Sequence, residues 1–200
     1  MNGDNIMKKL TPKDLINIGI FTTLYLIASC FPSAIRFVPF LHLAMAPLVA
    51  LISAPIFLLF LEKVPKPFAI TICGIICSVL VGLIVYANVY SFSICFIIFL
   101  LAEFVAYLNK YKKFKMSFYI ASFWTLGVGG ISFFFPNYFI ELSVSGGYEK
   151  AWAEACVAIS TPLNFILVIL ATIICSFISI KFTESLFKKH FKKTGIVNKK

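Results

Sequence analysis

Few residues in this sequence have side chains that can do chemistry, and most of them lie within or beside long apolar runs. Glu103 is the one charged residue inside such a run, and an ionisable group in that setting is either functional or paired. We expect a structural ion pair with Lys110 or a neighbouring lysine, with proton transfer as the alternative. His42 precedes Met45 by three residues, and both side chains are of types that ligate haem iron. A histidine hydrogen-bonded within a helical bundle is the simpler interpretation, and we expect no cofactor.

The motifs of soluble enzymes are missing from the sequence. It contains no glycine-rich phosphate-binding loop, no His-Glu-x-x-His zinc motif and no Gly-x-Ser-x-Gly nucleophile turn. Cys73 and Cys77 lie one helical turn apart, but no histidine or second cysteine pair completes a metal site. The six cysteines lie mostly within apolar runs, where they act as small packing residues. We therefore expect neither a catalytic site nor a metal site in this chain.

Six apolar runs dominate the chain and predict its architecture. The sequence is 60% hydrophobic and only 13% charged, which is far from the composition of a soluble domain. A helix needs about 20 apolar residues to cross the roughly 30 Å of hydrocarbon in a bilayer, and its backbone must be hydrogen-bonded there. The predicted fold class is an all-α membrane protein with six transmembrane helices, a single domain over residues 1–200. The expected spans are Leu15–Phe31, Val38–Leu61, Phe68–Tyr86, Val89–Tyr107, Met116–Phe135 and Pro162–Ile180.

The basic residues predict the orientation of these spans. If the N-terminus is cytoplasmic, 16 of the 18 lysines and arginines fall in cytoplasmic segments, and only Arg36 and Lys150 fall outside. Such a bias is the usual signature of membrane topology, so the net charge of +10 indicates anionic lipid rather than nucleic acid as its partner. We expect a multi-pass protein of the cell membrane with both termini in the cytoplasm, including the basic tail Lys181–Lys200. The outer loop Pro136–Thr161 contains an expected amphipathic helix, Tyr148–Ile159.

Polar side chains at the outer ends of the spans are candidates for ligand binding. Asn88, Asn137 and Asn164 lie where spans end on the outer side, and amides there suit a polar small molecule. Trp124 precedes a group of glycines and is a candidate cavity wall, because glycine permits a bend or a close approach. Arg36 is a candidate anchor for a carboxylate or a phosphate. Tyrosine and tryptophan also gather at membrane interfaces for ordinary reasons, and simple anchoring is the alternative for the aromatic residues.

Small residues four apart indicate where helices approach closely. In the first span, Gly19 and Thr23 are equally compatible with packing inside the bundle and with contact to another subunit. The second span contains Pro47 and Pro55, and a proline removes a helical hydrogen bond. We expect this span to be kinked or to begin with a short irregular segment before Pro47. In two other spans we interpret the small residues as packing positions: Gly74, Ser78 and Gly82 in the third, and Ala171, Cys175 and Ser179 in the sixth.

The two ends of the chain resemble a known family. The stretch Lys13–Thr22 (KDLINIGIFT), followed by Tyr25, resembles the opening signature of the MptD-type (Trep_Strep) family, and Leu186–Val197 is similar to that family's ending. Ala102-Glu103 ahead of the basic loop Asn109–Lys115 fits as well, as does the long outer loop. This family comprises candidate substrate-binding S components of energy-coupling factor (ECF) transporters.

The resemblance implies a six-helix S component that captures a small water-soluble micronutrient, often a vitamin, at the outer face. Its implied partners are a membrane coupling subunit and two cytoplasmic ATPases, which agrees with the missing ATPase motif. S components commonly present an Ala-x-x-x-Ala pattern on their first helix to the coupling subunit; Gly19 and Thr23 hold those positions here, and neither is alanine. The resemblance also implies ligand binding near the outer face, in regions that contain Arg36, Asn88, Tyr90, Trp124, Asn137 and Asn164.

Two other functions are compatible with the sequence. One is a scaffold or assembly subunit of a membrane complex that binds no ligand. The other is a small membrane enzyme acting on lipid or isoprenoid, with Glu103 and His42 as acid–base groups. The predicted topology places these two residues toward opposite faces of the bilayer, which argues against a shared site. Binding of a small molecule by the purified chain distinguishes an S component from a scaffold.

Overall fold

The structure is a computed structural model that describes residues 9–84, 88–111 and 114–191, and all regular secondary structure in this part of the chain is helical. Eleven α-helices follow one another in these residues, with a 3₁₀ turn (Ala34–Phe37) after the first and a π-helical turn (Phe187–Phe191) after the last. The α-helices are α1 Pro12–Ser33, α2 Pro39–His42, α3 Met45–Lys63, α4 Ala69–Ile84, α5 Val89–Leu108, α6 Phe114–Ala121, α7 Trp124–Gly129, α8 Ile131–Phe134, α9 Pro136–Ser145, α10 Lys150–Ile159 and α11 Pro162–Leu186.

Local sequence explains where the long helices begin. Thr11 and Asp14 form a capping box at the start of α1, in which each side chain accepts a hydrogen bond from the other residue's amide. Asn88 caps α5 through Oδ1, which accepts from an amide of the first turn at 2.8 Å. The Thr161 hydroxyl accepts from the Asn164 amide at the start of α11, with proline at the first helical position. These caps satisfy backbone donors that a helix start leaves unpaired.

Four of the described helices, α1, α3, α5 and α11, are long and apolar enough to cross a membrane. They correspond to the first, second, fourth and sixth expected spans. The third expected span corresponds to α4, a shorter apolar helix whose described part has 16 residues. The fifth is divided into α6, α7 and α8 by breaks at residues 122–123 and at Gly130. The structure therefore supports a helical membrane protein with four long spans, while the count of six and the orientation stay predictions.

The stretch from α6 to α8 keeps its backbone hydrogen bonds across the two breaks. At the first break the Phe123 amide donates to the Ile120 carbonyl, and at the second the Gly130 amide donates to the Gly127 carbonyl. Both bonds join residues three apart, as in a 3₁₀ turn, which tightens and redirects a helix. Three short helices thus take the place of one straight span, and α7 has a break at each end.

The helices form a bundle with an aromatic interior and an apolar outside. α3 packs between α1 and α11, α4 packs against α1 and α5, and α5 also packs against α6 and α7. Tyr25, Phe57, Phe99 and Phe118 are buried, and their rings contact one another in the core. The outward positions of α11 carry leucine, isoleucine and phenylalanine side chains that are about half exposed, an arrangement that soluble monomers avoid. The bundle therefore fits a lipid surrounding.

The segment predicted to be an outer loop is helical along most of its length. Residues 136–161 contain α9 and α10, which pack against each other across a turn in which Gly147 has a φ of +88°, a conformation that favours glycine. The predicted helix Tyr148–Ile159 is confirmed as α10. The sequence analysis did not predict α9, although Pro136 occupies a position where helices often begin.

The second expected span begins with an irregular segment, which is one of the two alternatives that its prolines predict. α2 covers only Pro39–His42, and a turn at residues 43–44 separates it from α3. Pro47 lies in the first turn of α3, where a missing amide leaves no hydrogen bond broken, and Pro55 lies within the helix.

The glycines of α4 allow close packing against α5, as the sequence predicts. A Cβ atom on Gly74 would overlap the side chain of Phe99, and a Cβ atom on Gly82 would touch that of Phe92. Ser78, between the two glycines, is buried. Because a larger residue would push the helices apart, these positions determine how near α4 and α5 lie.

The contact between α3 and α11 uses small polar residues in a stripe that differs in part from the predicted one. Ser179 is buried and donates a hydrogen bond to the Leu51 carbonyl of α3 at 2.6 Å. The other two predicted packing positions, Ala171 and Cys175, are only partly buried. The buried residues of α11 are instead Val168, Thr172, Ser176, Ser179, Ile180 and Thr183.

The end of the bundle opposite α9 and α10 contains a buried carboxylate. Glu103 in α5 accepts hydrogen bonds from the amides of Phe68 and Thr71 at 3.1 and 3.0 Å, and from the Tyr111 hydroxyl. It therefore caps the start of α4, and the predicted ion pair with Lys110 is not formed. The physical reason is that a helix start presents unpaired amides that attract a negative group, whereas Lys110 is exposed.

A second polar link at the same end joins α1 to the connection between α3 and α4. The Nζ atom of Lys66 lies 2.6 Å from Oδ2 of Asp14, and both side chains are largely buried. Together with the Glu103 contacts, this ion pair fixes the relative positions of α1, α4 and α5.

Candidate functional site

A cavity of about 330 Å³ lies within the half of the bundle that is nearest α9 and α10. Its wall is formed by the second half of α1, the first half of α3, the end of α4, and α7 and α8. α2, α9 and α11 each add one residue: His42, Phe139 and Val168. The volume falls in the range of sites for small molecules. The cavity is therefore the candidate site of this chain.

A cluster of rings, which we call the aromatic cap, covers the cavity at the end of the bundle. It consists of Phe37, His42, Phe139, Tyr148 and Trp152. The rings of Tyr148 and Trp152 stack with 4.5 Å between centroids, and His42 contacts Phe139 and Trp152 at 5.7 and 5.8 Å. His42 and Phe139 belong to the cap and to the cavity wall at once, so a molecule in the cavity would lie directly beneath these rings.

The cavity also reaches the side of the bundle between α1 and α4. Four of its lining residues are exposed: Thr23, Ile27 and Cys30 in α1, and Leu80 in α4. Most side chains on this surface of α1 are apolar, as expected where a helix faces lipid. The cavity is thus covered at the end of the bundle and open at its apolar side.

Two polar atoms of the wall are buried and have no hydrogen-bond partner among the described residues. They are Nε1 of Trp124 and Oγ1 of Thr125, and the two residues are only 5% and 9% exposed. An unmade hydrogen bond in a buried place costs about 1–3 kcal/mol, so such atoms are rare unless something else binds them. The described wall contains no Asp, Glu, Lys or Arg. Two residues of the described wall therefore carry unpaired polar groups, which are covered in this structure, and none of the described wall residues carries a charge.

Of the five predicted binding residues whose side chains the structure describes, only Trp124 lies in the cavity wall. Its ring also packs against Tyr25 in the core, with 6.0 Å between centroids. The side chain of Asn88 bonds to the first turn of α5. The Nδ2 atom of Asn164 donates to the Ile159 carbonyl at the end of α10, at 2.7 Å. These two amides hold helix ends in place instead of lining the cavity.

The other three predicted residues also lie away from the cavity wall or outside the description. Asn137 is exposed in the first turn of α9. Tyr90 is half-buried, and its ring contacts that of Phe135 at 5.7 Å. The backbone of Arg36 lies in the 3₁₀ turn, and its side chain falls outside the described part of the structure. The five residues with described side chains are not gathered into one site, and the role of all six in binding stays a prediction.

Thr125 and Phe139 belong to the wall, and the sequence analysis assigned neither to a site. Thr125 follows Trp124 directly, but the hydroxyl of a threonine in an apolar helix usually bonds to the backbone of its own helix. A threonine at this position therefore does not by itself indicate a ligand contact. Phe139 lies in α9, a segment that the sequence analysis treats as loop. Its place in the wall becomes recognisable only once that segment is known to be a helix.

Other side chains that the sequence singles out for their chemistry lie in different parts of the bundle. His42 and Met45 both line the cavity, but no group of three or more His, Cys, Asp or Glu residues suited to a metal occurs among the residues described. Glu103 lies at the other end of the bundle, so it shares no acid–base site with His42. Cys73 and Cys77 are buried in the core, in agreement with a packing role.

The face of α1 that contains Gly19 and Thr23 is open in the bundle. A Cβ atom on Gly19 would meet no atom within 4 Å. Thr23 is exposed, and its hydroxyl donates back to the Gly19 carbonyl at 2.9 Å. Close packing inside the described bundle is therefore not the reason for the small residues, and this face is available to lipid or to another helix.

Comparison with known proteins places the chain in a family. The family model of a hypothetical bacterial integral membrane protein, Trep_Strep, matches residues 12–193. The chain belongs to the Trep_Strep family. No curated protein and no solved structure matches it. The region matched by Trep_Strep begins at the first residue of α1 and includes the cavity, the aromatic cap and the open face of α1, so this Trep_Strep chain is an integral membrane protein whose candidate site lies within the family region.

Proposed function

We propose that this Trep_Strep protein is the substrate-binding S component of an ECF-type importer. It captures a small water-soluble micronutrient at the outer end of the bundle and delivers it inward with a membrane coupling subunit and two cytoplasmic ATPases. The chain itself catalyses no reaction. The observation that carries the proposal is the cavity beneath the aromatic cap, because its wall contains two buried polar groups that a ligand would satisfy.

The proposal includes six crossings of the membrane, with α4 and the broken stretch α6–α8 added to the four long helices. The 16 described residues of α4 are about 24 Å long at 1.5 Å per residue. Residues 114–134 are about 32 Å long or slightly more, since tight turns have a larger rise. With both crossings counted, the two termini lie on one side, and the basic residues favour the cytoplasm for that side. The cavity then faces outward.

The proposed contact with the coupling subunit is the open face of α1. Gly19 and Thr23 are small, and small residues allow a second helix to come close enough for packing in lipid. Ile16 and Ile20 are exposed nearby and would supply apolar contact area. Thr23 belongs both to the open face and to the cavity opening, whereas Gly19 belongs to the open face and is not among the cavity-lining residues, so coupling can be tested at Gly19 apart from capture.

Two matched glycine variants separate capture from coupling. Gly129 and Gly19 both lie where an added Cβ atom meets nothing within 4 Å, but only Gly129 lines the cavity. We expect Gly129→Leu to remove the thermal stabilisation that substrate gives to the purified chain, because the leucine would occupy part of the cavity. The variant should still co-purify with the coupling subunit. Gly19→Leu should show the opposite pattern, with normal stabilisation by substrate and a loss of co-purification.

Uptake into proteoliposomes tests the mechanism as a whole. Substrate should accumulate only when the coupling subunit and the ATPases are present and ATP is supplied. Accumulation driven by the chain alone, with no ATPase in the vesicle, would contradict the proposal.

The second candidate function is a scaffold that binds no ligand. The open face of α1 favours it, because a partner helix could pack on that face whether or not the cavity binds a molecule. Thermal unfolding with a panel of vitamins and cofactors distinguishes the two. A ligand at 100 times its Kd stabilises the folded state by about 2.7 kcal/mol, whereas a scaffold gains stability from its partner and from no compound of the panel.

A further inference from the structure

We infer that the cavity takes a water-soluble but uncharged molecule, which has an apolar body and presents a hydrogen-bond acceptor to Trp124 and Thr125. This inference rests on the proposed function and names the class of substrate within it. It departs from the anionic ligand that Arg36 suggests in the sequence. Three properties of the cavity carry it: the absence of charge in the described wall, the two unsatisfied polar atoms, and the position of the opening.

The charge of the ligand follows from the wall. None of the described residues that line the cavity is Asp, Glu, Lys or Arg, and the polar part of this described wall consists of hydroxyl, thiol, imidazole and indole groups. An ionised carboxylate or phosphate placed there would lose its hydration without gaining a counter-charge, which is strongly unfavourable. An uncharged molecule does not meet this penalty.

The polar group of the ligand follows from the two unsatisfied atoms. The indole Nε1 of Trp124 can only donate, whereas the Thr125 hydroxyl can donate or accept. The two residues are adjacent at the start of α7. Both atoms are covered in this structure, so each side chain has to turn toward the cavity to meet a ligand. A carbonyl oxygen, a ring nitrogen or an ether oxygen would satisfy the indole, and one such group or two neighbouring ones would satisfy both. Binding would then remove the cost of leaving these donors unpaired.

The body of the ligand follows from the rest of the wall and from the opening. Most lining side chains are apolar, and the rings of Phe133, Phe139 and His42 are among them, which favours a flat or ring-containing body. The opening at Thr23, Ile27 and Leu80 lies on the apolar side of the bundle. A molecule without charge passes such a surface at little cost, whereas an ion does not.

Matched fragments test the class directly. Benzamide and benzoate have nearly the same shape, and only benzoate is ionised at pH 7. Both tryptophans of the chain, Trp124 and Trp152, lie at this end of the bundle, so their emission reports what enters the cavity. We expect millimolar benzamide to shift the emission and raise the unfolding temperature of the purified full chain, and benzoate to do neither. Benzoate binding as tightly as benzamide would overturn the inference.

Three substitutions identify the groups that recognise the fragment. Trp124→Phe and Thr125→Val keep most of the side-chain volume and remove one polar group each, so each should weaken benzamide binding about five- to tenfold, measured by thermal stabilisation. Thr172→Val is the matched control. Thr172 is buried outside the cavity wall, and its hydroxyl bonds the Val168 carbonyl of its own helix at 2.7 Å, so benzamide binding should not change. If both cavity variants bound benzamide as tightly as the unaltered chain, Trp124 and Thr125 would not be the groups that recognise it.

The molecule that co-purifies with the chain, identified by mass spectrometry, separates failure of the inference from failure of the proposed function. A molecule that is uncharged at pH 7 and has an acceptor group supports both. A carboxylate or phosphate compound that is lost in Gly129→Leu leaves import standing and overturns the inference. If nothing co-purifies and neither benzamide nor benzoate binds, both proposals are overturned.

Discussion

At the scale of single residues, Glu103 shows how an apolar helix can contain a carboxylate with a structural task. Its two oxygens accept from the Phe68 and Thr71 amides and the Tyr111 hydroxyl, so its negative charge lies against the positive end of α4. Phe68 has a φ of +67°, a left-handed conformation that is unfavourable for a phenylalanine. The bond from its amide to Glu103 helps to hold that conformation.

Replacement of Glu103 by glutamine should weaken this end of the bundle. In Glu103→Gln the side-chain oxygen can accept from only one of the Phe68 and Thr71 amides, and the NH2 group meets the other donor to donor, so we expect a loss of about 2 kcal/mol in the free energy of unfolding. Tyr111→Phe removes one donor and leaves the amide contacts, and should cost about 1 kcal/mol. Burial, together with the Glu103 hydrogen bond, raises the pKa of Tyr111, so its hydroxyl remains a donor at neutral pH. Chemical unfolding in detergent measures both, and a fully stable Glu103→Gln variant would contradict the capping role.

The residues of the cavity wall were only partly predictable from the sequence, because an amide at a helix end can either bind a ligand or cap the helix. Asn88 precedes Ser91 by three residues, and Thr161 precedes Asn164 by three, which is the spacing of a helix N-cap. The structure confirms capping contacts at both places. The glycines that follow Trp124 predict it as a cavity-wall residue. The Thr125 hydroxyl is unpaired because of the three-dimensional packing around it, and no sequence pattern predicts that packing.

At the scale of elements, apolar length predicts helices well and breaks poorly. The long helices α1, α3, α5 and α11 agree with four expected spans because an uninterrupted apolar run has only one stable backbone arrangement in lipid. The breaks at residues 43–44, 122–123 and 130 lie in runs that are just as apolar. The prolines of the second span predict the first break as one of two alternatives, and the glycines after Trp124 permit the third, whereas no residue pattern indicates the break at residues 122–123.

Alanine substitutions of glycines test which helices are in close contact. Gly74→Ala should lower the unfolding temperature of the purified protein, because its Cβ atom would overlap Phe99 and force α4 away from α5; overpacking of this kind costs about 1–3 kcal/mol. Gly129→Ala is the matched control. Its Cβ atom meets nothing within 4 Å, so it should leave the unfolding temperature nearly unchanged. Equal effects of the two substitutions would show that α4 and α5 are not packed as described.

At the scale of the whole molecule, the two ends of the bundle are built differently. One end has the Asp14–Lys66 ion pair and the Glu103 contacts, which join segments far apart in the chain. The other end has the aromatic cap above the cavity, where rings from four different segments meet. The basic residues predict the first end to be cytoplasmic and the second to be outside, and only that orientation permits import through the cavity.

Labelling of single cysteines tests this orientation. Glu149 lies in the turn before α10 and Lys63 at the end of α3, and both are exposed. In a variant with Cys30 replaced by serine, a membrane-impermeant maleimide should modify Glu149→Cys in intact cells. Lys63→Cys should react only after the membrane has been permeabilised. The reverse pattern would place the cavity toward the cytoplasm and rule out import.

The breaks on either side of α7 have a consequence for how a bound molecule leaves. Trp124 and Thr125 sit on a six-residue piece that is joined to its neighbours through tight turns, while the long helices on other sides of the cavity are anchored in lipid. Rotation of α7 alone would turn the Trp124 and Thr125 donors away from the bound molecule, while the long helices keep their positions. We therefore expect the residence time of the bound molecule to depend on this rotation. The proposed S component would then bind its substrate at the outer face and release it at the inner face without separating its long helices.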